Sequence, residues 1–185
     1  MLGLRHYRST AVDLFQGDIT SFVCDLMVNA ANEGLVGGGG VDGAIHRVGG
    51  PSIAAACLAL GHCATGSAVL TEAGLLPAKK IAHAVGPVWR GGGHGEAAAL
   101  RSVYLSCLTL AVEHQLRHVA LPSISTGAFA YPLEAAASIA LSSVREFLDA
   151  HPSVLRRITF VLFDRPHYQT YQKALFKIFP ETDED

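Results

Sequence analysis

Charge is scarce in this sequence. Asp, Glu, Lys and Arg together make up 16% of its 185 residues, and the formal net charge is -2. No Lys/Arg run stands out and the pI is near 6.5, so the chain lacks the cationic footprint with which sequence-independent nucleic-acid binders neutralise many phosphates. Nucleic acid is not a favoured partner. Cysteine is scarce as well: Cys24, Cys57, Cys63 and Cys107 are too few and too scattered for a disulfide framework. A chain of this length hides roughly 70% of its unfolded surface and has no need of one. Such usage fits a reducing, cytoplasmic setting. Cys57 and Cys63, with His62 between them, have neither the spacing of a Cys-x2-4-Cys zinc arm nor a second arm, so they read as small buried thiols and no metal is expected. Arg5, His6, Arg8 and Asp13 interrupt the start before an apolar run can form, which argues against a signal peptide.

One stretch without charge, Val48 to Thr71, is long enough to raise a membrane span. Gly49, Gly50, Pro51, Gly61, His62, Gly66 and Ser67 divide it into a short Ala/Leu helix, a turn and a strand. It reads as the interior of a folded domain, and no membrane partner is expected.

What the chain has in quantity is apolar residues, at 50%, and 19 glycines. Short runs rich in Val, Ile and Phe recur at Val12 to Phe15, Leu26 to Val28, Ala68 to Thr71, Ile81 to Val85, Val119 to Leu121 and Ile158 to Phe163. Longer segments between them predict helices at Val41 to Val48, Ser52 to Leu60, Glu96 to Glu113, Leu133 to Ala150 and Arg165 to Phe179. Alternation of this kind predicts a layered α/β domain with a mostly parallel sheet, and Arg5 to Ser9 pairing with Val12 to Phe15 would add an antiparallel edge. Pro132 and Glu134 mark the start of the Leu133 helix. Gly91 to Gly95 reads as a mobile loop by composition, and residues 181 to 185 as a short acidic tail.

Two glycine-containing loops each follow a strand and precede a helix. The first spans Asn29 to Gly43, with four consecutive glycines from Gly37 to Gly40, and the second spans Pro122 to Pro132. Loops at the carboxyl ends of strands line the ligand crevice of an open α/β sheet, and helix amino ends there offer free amides to anions. Gly38, Gly40 and Gly43 fit G-x-G-x-x-G, yet no acid stands at positions 58 to 63 to hold a ribose. Neither loop contains the lysine of a nucleoside-triphosphate loop, and Ser125 lacks the glycine two places before it that a hydrolase elbow requires. A neutral cradle of amides for a phosphate chain remains, beside the plainer alternative of a flexible turn.

Polar residues flank this cradle. Asp42 and His46 lie four apart at a helix start and so share a face, where a carboxylate could take a proton from water while the imidazole positions it. A helix cap would look the same. Asn29 and Asn32 end the preceding strand, where Asn also shapes turns. Asp18 reads first as a cap, Phe129 as either a stacking ring or a hydrophobic plug, and Phe163 as core by periodicity.

Taken in order, these segments resemble one family. Gly17-Asp18-Ile19-Thr20, Val28-Asn29-Ala30-Ala31-Asn32, the run Gly37 to Arg47, the run His83 to Trp89, and Ile124-Ser125-Thr126-Gly127 with Tyr131-Pro132 resemble the MacroD-type macro domain, in particular its bacterial O-acetyl-ADP-ribose deacetylases. The resemblance implies a three-layer α/β/α domain over residues 1 to 180 that binds ADP-ribose and hydrolyses an ester at its distal ribose. O-acetyl-ADP-ribose, ADP-ribose and mono-ADP-ribosylated proteins are the partners it implies, with no cofactor and no catalytic metal. By position it implies that Asp18 and Ile19 contact adenine beside Phe163, that Gly38, Gly39, Gly40 and Val41 with Ser125, Thr126, Gly127 and Ala128 wrap the diphosphate, and that Phe129 lies against the distal ribose. Asn29 and Asn32 fall at the same end of the cleft, Asn32 orienting the ribose, and Asp42, helped by His46, is the base for water. Phe129 stands where some relatives carry Tyr, and His62 where an acid is common.

Overall fold

The computed structural model describes residues 3–180; the acidic tail lies outside the described residues. Strands β1 (Leu4–Tyr7) and β2 (Thr10–Gln16) form the hairpin, a 3-10 turn at Ile19–Ser21 follows, and β3 (Leu26–Ala31), α1 (Gly40–Gly49), α2 (Pro51–Leu60), β4 (Ala68–Glu72), β5 (Lys80–Val85), α3 (Glu96–Glu113), β6 (His118–Leu121), α4 (Leu133–Ala150), β7 (Arg157–Leu162) and α5 (Arg165–Ile178) complete the chain. The strands make one sheet in the order β1-β2-β7-β6-β3-β5-β4. β1 on β2 and β4 on β5 are antiparallel, and the pairs between are parallel. The sheet is therefore mixed and mostly parallel.

Successive strand residues face opposite sides, and that period sorts the core into two layers. Leu26, Val28, Ala82, Ala84, Val119, Leu121, Ile158 and Phe160 pack with α3, α4 and α5. Met27, Ile81, Val85, Ala120 and Val161 pack with Ile45 of α1 and Ile53 and Cys57 of α2. Full burial of each such Leu, Ile or Phe contributes roughly 1.5–3 kcal/mol. Tyr104, fully buried on α3, donates to the Pro122 carbonyl and accepts from the Ile124 amide, both at 3.0 Å, while the Tyr171 hydroxyl on α5 donates to Ser123 Oγ at 2.9 Å. The second loop is thus anchored from below by two helices before it reaches the cleft. Asp164 caps α5 by accepting from the His167 amide, with Pro166 in the first turn.

Several expectations are corrected. β3 continues to Ala31, so Asn29 lies inside the strand and is fully buried rather than at its end. Phe163, read as core by periodicity, is 79% exposed because β7 stops at Leu162 and the chain turns into α5. The uncharged segment is not interior: α2 buries only Ile53 and Cys57, and Leu58 stands out at 82% exposure, since a helix covering a sheet edge needs just one apolar stripe. Among the described residues no helix is long and apolar enough to cross a membrane. The glycine-rich loop before α3 is not loose either. The Glu96 carboxylate, 3% exposed, accepts the amides of Arg90, Gly92 and His94 at 2.9, 3.1 and 2.7 Å and gathers the loop around itself.

Candidate functional site

The parallel strands β3, β5 and β6 release their chains at one edge of the sheet, and the cleft lies there. It holds about 350 Å³ and is lined by Asn32 and Gly38 to Asp42 from the first loop, Ser125 and Gly127 to Phe129 from the second, and Gly86 after β5. No Lys or Arg lines it among the described residues. An anion there would meet dipoles rather than cations: the first amides of α1, which begins at Gly40, have no intrahelical acceptor, and Gly40 and Val41 line the cavity.

Close approach of backbone, rather than looseness, accounts for two of the glycines. A Cβ on Gly43 would stand 2.5 Å from the Gly38 carbonyl oxygen, and one on Gly86 would overlap Ser125 Oγ and lie 2.5 Å from Ile124 Cγ2. Ser125 itself has φ +67, a left-handed conformation costly for a non-glycine residue, and its buried Oγ has no hydrogen-bond partner within the protein. A buried polar atom left unpaired costs about 1–3 kcal/mol. Both features sit on the wall of the cleft.

Asp42 is the most constrained side chain of the site. Its Oδ2 accepts the Gly38 amide at 2.8 Å, which folds the glycine run back onto the helix start. Its Oδ1 accepts Asn29 Nδ2 at 2.7 Å and stands 3.3 Å from His46 Nε2. Asn29 Nδ2 also lies 3.1 Å from His83 Nδ1, and His83 Nε2 lies 2.8 Å from Thr71 Oγ1. Asn29 must turn its NH2 toward Asp42, since its carbonyl oxygen would face a carboxylate. One NH2 hydrogen then serves Asp42 and the other His83 Nδ1, so the His83 proton is on Nε2 and is donated to Thr71. Burial, with the neighbouring His46, lowers the His83 pKa to about 4 against the pull of Asp42, and the ring is neutral at pH 7. A buried relay therefore runs from Thr71 on β4 through His83 on β5 and Asn29 on β3 to the carboxylate on α1. Asn29 Oδ1, also buried, has no partner within the protein.

His46, Cys57 and His83 offer ligand atoms within 4.8 Å of one another. Both ring nitrogens of His83 are engaged in the relay and burial raises the Cys57 thiol pKa, so these residues are accounted for without an ion.

Of the residues read from sequence, Asn32, Gly38, Gly39, Gly40, Val41, Asp42, Ser125, Gly127, Ala128 and Phe129 line the cleft together. Asn29 and His46 do not line it; they hold Asp42 from behind. Thr126 points away, its hydroxyl 2.8 Å from Ser123 Oγ. The Asn32 amide closes a turn, donating to the Val36 carbonyl and accepting its amide. Asp18 caps the 3-10 turn through the Thr20 amide and hydroxyl, Ile19 is buried, and the Gly17 amide donates to Leu162 O, so Asp18 and Phe163 share the end of the β2–β7 pair further along the same edge of the sheet. His83, Thr71 and Glu96 were not read as site residues. A histidine between the apolar residues of Ile81 to Val85, and an acid directly after the run Gly91 to Gly95, were the signals available.

The fold and cleft define an open α/β sheet protein with an amide-lined cleft, of a kind suited to an anion, at the carboxyl ends of its strands. The chain belongs to the macro domain family, whose sequence profile matches residues 28–140. It is 51% identical over 164 residues to a macro domain-containing protein of Chlorobaculum tepidum, covering 89% of this chain and 95% of that one. It is 49% identical over 170 residues to the O-acetyl-ADP-ribose deacetylase of Enterobacter sp. (strain 638), covering 90% and 94%. Among solved structures, a mutant macrodomain of Oceanobacillus iheyensis with ADPR matches at TM-score 0.90 and 34% identity, covering 96% of this chain and 98% of that one.

Proposed function

We propose that this protein is a hydrolase that binds ADP-ribose and cleaves an ester at its distal ribose, converting O-acetyl-ADP-ribose to ADP-ribose and acetate and, by the same chemistry, acting on ADP-ribosyl esters of Asp and Glu side chains. The observation that carries this reading is a carboxylate, Asp42, fixed by Gly38, Asn29 and His46 at the wall of an amide-lined cleft. In it, Gly38 to Val41 and Ser125 to Ala128 wrap the diphosphate, Phe129 lies against the distal ribose, and Asn32 orients that sugar. Asp18, Ile19 and Phe163, further along the same edge, receive the adenine.

Asp42 Oδ2 accepts one hydrogen bond from protein and keeps a lone pair for a water. Taking a proton from that water lets its oxygen add to the ester carbonyl, and the amides facing the cleft stabilise the oxyanion. Collapse breaks the acyl–oxygen bond, and the proton passes to the departing ribose hydroxyl. His46 and Asn29 keep the carboxylate aimed.

Purified protein should release acetate from O-acetyl-ADP-ribose in the presence of a chelator. Asp42→Asn, which keeps an acceptor for the Gly38 amide, should lower kcat about 10²–10⁴-fold while retaining ADP-ribose binding by calorimetry. Acetate release no faster than in buffer would defeat the proposal. The fastening role of Asp42 also suits a module that only reads ADP-ribose, and tight binding without turnover would favour that reading.

A further inference from the structure

Beyond Phe129 the cleft adjoins a second hollow of about 440 Å³, and Gly86 and Phe129 line both. Val85, Pro87, Val88 and Ala99 give it apolar walls, and Arg90, His94 and Glu33 also line it. Its shape is set rather than accidental. The Glu96 carboxylate nests three amides of the loop that bears Arg90 and His94, and the Trp89 amide donates to the Phe129 carbonyl at 2.8 Å, tying that loop to the ring that separates the two spaces. Burial pushes the Glu96 carboxyl up, but the amides outweigh it and hold its pKa down at about 2, so the nest stays charged.

The charges around the hollow are unequal in their commitments. Glu96 is saturated by amides. Glu33 accepts the Thr65 amide and hydroxyl at 3.1 and 2.8 Å. His94 Nδ1 lies 3.8 Å from Glu96. The Arg90 guanidinium is exposed and has no hydrogen bond or ion pair among the described residues.

We propose that this hollow is the acyl subsite of the hydrolase, and that it selects acyl chains longer than acetyl that end in a carboxylate, with Arg90 as the partner of that carboxylate. This rests on the reading of the cleft as the ADP-ribosyl ester site: with Phe129 against the distal ribose, the ester's acyl half leaves the cleft toward Gly86 and Phe129. Size points the same way. At roughly 30 Å³ per water, the hollow has room for about fifteen waters, and an acetyl group fills only a small part of it. A four-carbon acyl chain would lay its methylenes along Val85, Pro87 and Val88 and bring its far carboxylate to the rim, where a guanidinium binds carboxylate with fork geometry. The reaction is unchanged: water adds, the acyl–oxygen bond breaks, and the products are ADP-ribose and a dicarboxylate.

The test compares kcat/KM for O-acetyl-, O-butyryl- and O-succinyl-ADP-ribose in the wild type and in Arg90→Met. The succinyl ester should exceed the butyryl ester by about tenfold, the size of one charge-assisted hydrogen bond. Arg90→Met should erase that ratio and leave acetyl turnover within about twofold. Equal succinyl and butyryl values in the wild type, or a preference that survives Arg90→Met, would overturn the subsite alone. An inert acetyl ester would overturn the reading of the cleft and the subsite with it.

Discussion

Protonation of His83 should destabilise this protein from the inside, and the effect has a definite size. The ring is fully buried, its Nδ1 occupied by an Asn29 hydrogen and its Nε2 hydrogen by Thr71. A proton added at Nδ1 would face the Asn29 donor and break the relay to Asp42. The pKa is about 4 in the fold against 6.5 for an unperturbed histidine, with burial the first cause. Between those values the unfolded chain binds more protons than the native one, so stability rises with pH across that window, is fully present above it, and is lost as pH falls toward 4. Linkage puts the loss due to His83 at about 2 kcal/mol between pH 7.5 and pH 5, and about 3 kcal/mol by pH 4. Other groups also titrate: half-buried His118, lowered chiefly by burial, adds a slope of the same sign. Urea unfolding followed by circular dichroism over this range should therefore be run on the wild type and on His83→Asn, whose carbonyl oxygen can still accept from Asn29. The variant starts less stable, and the quantity of interest is its slope. The wild type should lose about 2 kcal/mol more than the variant between pH 7.5 and pH 5. Parallel slopes would refute both the buried neutral ring and the tautomer derived from it.

Gly86→Ala would drive a Cβ into Ser125 and Ile124; it should cost about 1–3 kcal/mol and weaken ADP-ribose binding, as read by urea unfolding and calorimetry, and unchanged values of both would contradict the packing described. Gly127 offers the opposite case, because a Cβ there meets nothing within 4 Å. Gly127→Val should change stability by no more than about 0.5 kcal/mol yet reduce ADP-ribose affinity at least tenfold, the loss of about 1.4 kcal/mol; a variant that binds as well as the wild type would remove this loop from the ligand. Thr71→Val leaves the His83 Nε2 hydrogen unpaired and should cost about 1–3 kcal/mol, with kcat falling more than KM changes, and a wild-type kcat would show that the relay does not reach Asp42.

Much of this protein could be read from one dimension. The alternation of short Val/Ile runs with longer segments is local chemistry, and so are the helix starts at Pro132–Leu133 and at Asp164, where cap and first-turn residues act within a few positions. The ordered motifs from Gly17 to Pro132 carried the family resemblance, and the two glycine loops did come together at one edge of the sheet. Phe163 misled because periodicity describes a strand only while the strand lasts, and α2 because freedom from charge does not say which face is covered.

The sequence by itself determined the element order, the family and the neutral, amide-built character of the cradle. Spacing already placed His46 beside Asp42, but only the tertiary structure decided what else Asp42 is attached to. Asn29 and His83 stand side by side because β3 pairs parallel with β5 in the register that sets Asn29 opposite His83, and Thr71 reaches the ring from the neighbouring antiparallel strand. Partners 13 and 54 residues from Asn29, Asp42 on one side and His83 on the other, cannot be inferred from spacing along a chain. Strand register, a property of backbone hydrogen bonds and two-sided packing, brings Asn29 and His83 within 3.1 Å.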